Sequence, residues 1–69
     1  MVAVVLNGEA CRLPPGATVA EAVRESGAAP EGRGVAVALD GEVVTRGAWD
    51  STELADGARV EVLQAVQGG

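Results

Sequence analysis

The chain contains no histidine, lysine, tyrosine or phenylalanine, and a single cysteine, Cys11. Apart from that thiol, no unperturbed side chain titrates near neutrality. Ser26 and Ser51 have no imidazole or amine to activate them, so no nucleophile–base pair can be assembled. Metal ligation by histidine or by several cysteines is excluded. The ten carboxylates show no alternating acidic loop of the calcium-binding type. One cysteine cannot form an internal disulfide, and a reducing compartment, the cytoplasm, is the expected location. Long hydrophobic runs are missing too: Val2–Leu6 and Val35–Leu39 are far too short to span a bilayer, and no signal-peptide pattern precedes them. A chain with this inventory takes part in chemistry as a substrate rather than as a catalyst, so no catalytic residue, bound cofactor or resident metal is expected.

Charge narrows the partners. The net charge is −5, and all five cations are arginines, Arg12, Arg24, Arg33, Arg46 and Arg59. They are scattered along the chain, which argues against a phosphate-backbone footprint and hence against nucleic acid. The acidic balance fits either simple solubility or a basic protein partner. Without lysine, the chain cannot build polymers on its own side-chain amines.

What is present is one small domain. Sixty-nine residues, 48% of them hydrophobic, are enough for a core, but the apolar residues are mostly alanine and valine. A chain of this size buries only about 60% of its unfolded surface, so the core is thin. Val2–Leu6 reads as a strand with Val2, Val4 and Leu6 on one face. Asn7-Gly8 is a strong hairpin signal, because both positions tolerate positive φ. The chain returns through Glu9–Leu13 and stops at Pro14-Pro15-Gly16. Thr18 and Glu21 have capping-box spacing, predicting a helix over about Val19–Ser26 that ends at Gly27, with Val19, Ala22 and Val23 as its apolar stripe.

Ala28–Gly34 reads as a loop. Val35–Leu39 is nearly all apolar, as a strand buried on both faces would be. Asp40-Gly41 turns the chain into Glu42–Val44. An irregular stretch, Thr45–Asp56, holds Trp49 and a predicted helical turn around Ser51–Leu54. Asp56-Gly57 makes a third turn before the last strand, Arg59–Ala65, where Val60 and Val62 face away from Glu61 and Leu63. This ββαββ order, with first and last strands able to pair in parallel across one helix, predicts an α+β β-grasp with a mixed sheet. A small open barrel is the competing arrangement. The domain is expected to cover residues 1–65, and Val66–Gly69 to form a flexible tail.

That tail ends in Gln67-Gly68-Gly69. Two glycines leave the terminal carboxylate without neighbouring side chains, on a backbone free to thread a narrow channel. Chain ends also fray, and ten glycines in sixty-nine residues would produce such a pair in roughly one chain in fifty. The weight of the pair therefore rests on the domain before it.

Ordered motifs supply that weight: Asn7-Gly8-Glu9, Leu13-Pro14-x-Gly16-x-Thr18-Val19, Val35-Ala36-Val37-x-x-x-Gly41-Glu42-Val43-Val44 and Leu54-x-Asp56-Gly57-x-Arg59-Val60-Glu61-Val62. With Ala65-Val66-Gln67-Gly68-Gly69 and the position of Trp49, the whole chain resembles the ubiquitin-like sulfur carriers of thiamin biosynthesis, the ThiS family. Asp40 stands where that family often has asparagine, and Ala22-Val23 where bulkier leucines are common.

The resemblance implies a carrier cycle. A ubiquitin-activating-type adenylyltransferase (ThiF-like) would adenylate the Gly69 carboxylate with ATP and magnesium. Sulfur from a cysteine desulfurase route would then make a thiocarboxylate on Gly69, and thiazole synthase (ThiG-like) would take it. Arg46, Trp49, Arg59, Val62, Leu63 and Val66 are candidate partner contacts. All but Val66 have a structural alternative: Trp49, Val62 and Leu63 as core, Arg46 and Arg59 as solvated or paired cations. Cys11 reads as a small buried hydrophobe rather than a sulfur site. Other readings are a molybdopterin-synthase small subunit, a sulfur carrier for another acceptor, and a non-covalent adaptor whose glycine pair is incidental.

Overall fold

A computed structural model describes residues 1–28 and 33–65. Strands β1 (Val2–Leu6) and β2 (Glu9–Leu13) form the first hairpin, followed by helix α1 (Val19–Glu25). Strands β3 (Val35–Leu39) and β4 (Glu42–Val44) form the second hairpin, and β5 (Arg59–Gln64) closes the order. The five strands make one sheet in the order β2-β1-β5-β3-β4. β5 is the middle strand, parallel to β1 and antiparallel to β3. With the first and last strands paired in parallel in the middle of the sheet and α1 contributing to the core, this is the expected β-grasp.

Both hairpins turn where expected. Asn7 and Gly8 have φ of 50° and 82°, and Asp40 and Gly41 have 50° and 88°. Two successive positive φ values match the right-handed twist of the flanking strands, and asparagine, aspartate and glycine tolerate them best. These turn residues also reach across the sheet. Asn7 Oδ1 accepts the Val62 N–H at 2.8 Å, Asp40 Oδ1 accepts the Arg59 N–H at 2.9 Å, and Asp56 Oδ1 accepts the Ala3 N–H at 2.8 Å.

One face of the sheet packs on α1. The core joins Val4, Leu6, Leu13, Val37, Val60 and Val62 from strands to Val19, Ala22 and Val23 from the helix, closed by Trp49, Leu54 and Ala58. Burial on one side makes β5 alternate from Arg59 to Leu63, with Val60 and Val62 inward and Arg59, Glu61 and Leu63 outward.

Four expectations need correction. Thr18 caps α1 with extended backbone but makes no side-chain cap bond. Its backbone pairs with Glu53 instead, and Glu21 turns to Arg24 in an ion pair of 3.0 Å. The helical turn lies at Arg46–Ala48, not Ser51–Leu54. Ala48 O collects the Ser51 N–H and the hydroxyls of Ser51 and Thr52, and Leu54 is drawn extended by its N–H to Ala17 O. β3 is buried on one face only, at Val37, while Ala36 is exposed. Its apolar run reflects small residues on an open face, not a second covering layer. Finally, α1 ends at Glu25 and β5 at Gln64, one residue short of each expected boundary.

Candidate functional site

The predicted reactive residues, Gly68 and Gly69, lie with Val66 and Gln67 outside the described residues. What the structure describes is the base from which they extend. β5, the central strand, runs past the end of β1: the last β1–β5 register pair is Leu6 with Val60. Asn7 then turns away, and its side chain supplies the final contact on that side by accepting the Val62 N–H. On the other side the β3 register continues to Val35 with Gln64. One further bond follows, from the Ala65 N–H to Gly34 O at 2.7 Å. The chain therefore leaves the sheet from its centre, held at Ala65 by β3's side alone.

The candidate contacts separate by face. Val62 is buried among core residues, whereas Leu63 beside it is 70% exposed. Arg59 shares Leu63's outward side, and Arg46 is exposed in the helical turn after β4. Trp49 is only 3% exposed, and its Nε1–H donates to Val44 O at 3.1 Å. The indole is core; what it presents to solvent is the Arg46 guanidinium, 4.7 Å above its ring. Cation–π packing of this kind holds the arginine in place. The partner-contact readings of Trp49 and Val62 thus give way to packing, and Leu63, Arg46 and Arg59 stay available.

Two residues escaped sequence reasoning. Val43 is 80% exposed and pairs with Ala38, extending the open face that Leu63 and Ala36 begin. A three-residue strand is too short for alternation to declare its outer face. Gly34 read only as a loop glycine; its place directly before an apolar run was the available signal.

Nothing in the described residues forms a catalytic pair. Ser26 Oγ donates to Val23 O and Ser51 Oγ to Ala48 O, so both hydroxyls are engaged with backbone carbonyls. Cys11 is half-buried on β2 against the core, consistent with a small hydrophobe. Among the described residues no three histidine, cysteine or acidic side chains gather where they could hold a metal ion. No helix there is long and apolar enough to cross a membrane.

Comparison with known proteins gives the domain a family. The ThiS family model matches residues 2–69. The crystal structure of the thiamine biosynthesis protein ThiS from Geobacter metallireducens superposes with a TM-score of 0.73 at 31% identity, covering 99% of this chain and 100% of that one. The solution structure of a thiamine biosynthesis protein from the same organism gives 0.76 at 31% identity, covering 99% of this chain and 88% of that one. No curated sequence matches.

Proposed function

The chain belongs to the ThiS family, and from that premise we propose that it is a sulfur carrier for thiamine biosynthesis, working through the carboxylate of Gly69. The observation that carries the reading is a family match running unbroken from residue 2 into the glycine pair at 69. The fold supports it, since the chain reaches Ala65 along the middle strand of the sheet and continues from there toward Gly69.

A carboxylate is a poor electrophile and needs a leaving group before sulfur can attack. In the proposed cycle, a Gly69 carboxylate oxygen attacks the α-phosphorus of ATP on a ThiF-like adenylyltransferase. Pyrophosphate leaves and an acyl adenylate remains. The terminal sulfur of a cysteine persulfide then attacks the acyl carbon, the C–S bond forms, the C–O bond breaks and AMP departs. A second thiol then attacks the cysteine-side sulfur of the resulting acyl disulfide: a disulfide between that thiol and the cysteine forms, the S–S bond to the acyl group breaks, and the thiocarboxylate leaves for a ThiG-like thiazole synthase. Magnesium and the donors that stabilise the phosphates belong to the partner enzyme.

The chain's own part is presentation. Four extended residues beyond Ala65 span at most about 14 Å, enough to enter a buried partner site while the domain docks outside. The same reach keeps Gly69 from Cys11. Val4 pairs with Cys11 and Val5 with Arg59, so Cys11 lies level with Ala58, roughly 23 Å before Ala65 at the rise of a strand. With no lysine in the sequence, the activated carboxylate finds no side-chain amine or thiol on its own domain. Capture falls to sulfur delivered from outside, in the reducing cytoplasm. Leu63, Arg59 and Arg46 are the residues we assign to partner docking.

Intact mass spectrometry tests the reading. After incubation with the adenylyltransferase, ATP and a sulfur source, the untagged protein should gain the mass of one oxygen replaced by sulfur, mapped by fragmentation to Gly69. An unchanged mass, with the partner active on another ThiS-family carrier, would refute it.

A further inference from the structure

Gly34 stands where β5 gives way to the tail. Its φ is 68°, in the left-handed region, and its carbonyl oxygen accepts the Ala65 N–H at 2.7 Å. A Cβ placed on Gly34 would find only ordinary contact, 3.5 Å from the Ala65 Cβ. Space is therefore not what asks for glycine here; the backbone conformation is, and most L-residues resist it. The bond matters because of what surrounds it. On the β1 side, restraint of β5 ends at Val62 with the Asn7 side chain. On the β3 side, antiparallel pairing bonds alternate residues, so the next bonded pair inward is Leu63 with Ala36. Losing the Gly34–Ala65 bond would release both Gln64 and Ala65.

We propose that Gly34 is a positioning residue for the C-terminal reaction: its carbonyl clips Ala65 and so sets where the free tail begins and the direction in which it leaves the sheet. The inference rests on the carrier reading above. With the clip closed, the sheet holds the chain through Ala65, and a partner that binds the domain meets a fixed root. With it open, the partner must order Gln64 and Ala65 as well, from a root that no longer points along β5. Ordering even one additional backbone residue costs about a fivefold to thirtyfold loss in binding. The clip thus acts on capture of the tail, and leaves the chemistry at Gly69 untouched once the tail is bound.

The test is steady-state adenylation of the full chain by a ThiF-like enzyme with ATP, with unfolding midpoints measured alongside. Ala65→Pro removes the donor and keeps Gly34. Gly34→Val forces a β-branched residue into the left-handed region, and Gly34→Asn places there a residue that tolerates it. Ala65→Pro and Gly34→Val should each raise KM for the carrier at least about fivefold, with kcat and the unfolding midpoint little changed. Gly34→Asn should restore KM and the slow exchange of the Ala65 amide that Gly34→Val loses. Should Ala65→Pro fail to fold, the two Gly34 variants decide the question, since Ala65 amide exchange and KM must move together. Wild-type KM in a folded Ala65→Pro, or in a Gly34→Val whose Ala65 amide exchanges fast, would overturn the proposal. If the wild type is not adenylated at all, the carrier reading fails first and this role falls with it.

Discussion

The two ends of β5 are held in opposite ways. At its start, Val5 donates to Ala58 O on one side, and on the other Arg59 exchanges both backbone bonds with Asp40, one through the Asp40 carboxylate. The first inward residue of β5, Val60, is fully buried in the core that Trp49 and Leu54 help close. At its finish, β1 has ended and a single bond to Gly34 remains. One strand thus serves as the middle of the sheet and as the root from which the proposed reactive tail extends. The difference separates stability from reaction: what breaks the start should unfold the protein, and what alters the finish should silence it while folded.

The largest effect tests the finish. Deleting Gly69, or adding residues after it, should abolish thiocarboxylate formation in the mass assay while leaving the circular dichroism spectrum and unfolding midpoint unchanged. Trp49→Ala tests the other side of the comparison. It removes the only aromatic from the core and should cost about 3–5 kcal/mol in denaturant unfolding. The fraction still folded should nonetheless keep its kcat for loading, because the root of the tail at Ala65 is untouched.

Midway along the strand, Asn7→Gly keeps the positive φ and removes the oxygen that accepts the Val62 N–H. Leaving that half-buried donor unpaired should cost about 1 kcal/mol, whereas Asn7→Asp, which keeps the acceptor, should cost less. The smallest stability effect is expected at Leu63, an exposed side chain. Leu63→Ser should shift stability by no more than about 0.5 kcal/mol, yet raise KM for the adenylyltransferase. An unchanged KM would remove Leu63 from the docking surface.

The elements of this fold were legible because its punctuation is strong. Asn7-Gly8, Asp40-Gly41 and Asp56-Gly57 each turn the chain where their backbone preferences allow, and Pro14-Pro15 ends β2. Strand β5 declared its inner face through the alternation of Val60 and Val62 with charged neighbours. The errors arose where tertiary contacts overrode local preference. Thr18 has the spacing of a capping box, but its backbone pairs with Glu53 across the domain. The apolar run of β3 looked doubly buried because alanine is at ease on either face of a sheet. Of the proposed site, the sequence offers only the tail: a glycine pair at a chain end is visible in one dimension, whereas the bond between Gly34 and Ala65 joins residues far apart in sequence.

By itself the sequence determined the order of elements, the turns and the kind of chemistry open to this chain. Those follow from local backbone preference, from periodicity and from which side chains are absent. Only the tertiary structure decided that the turn residues Asn7, Asp40 and Asp56 also tie strands together, and that Trp49 is core while Leu63 and Val43 face solvent. It decided too that the tail is clipped at Ala65. Each of these depends on which strands become neighbours, and that choice is made by burying one face of the sheet against α1.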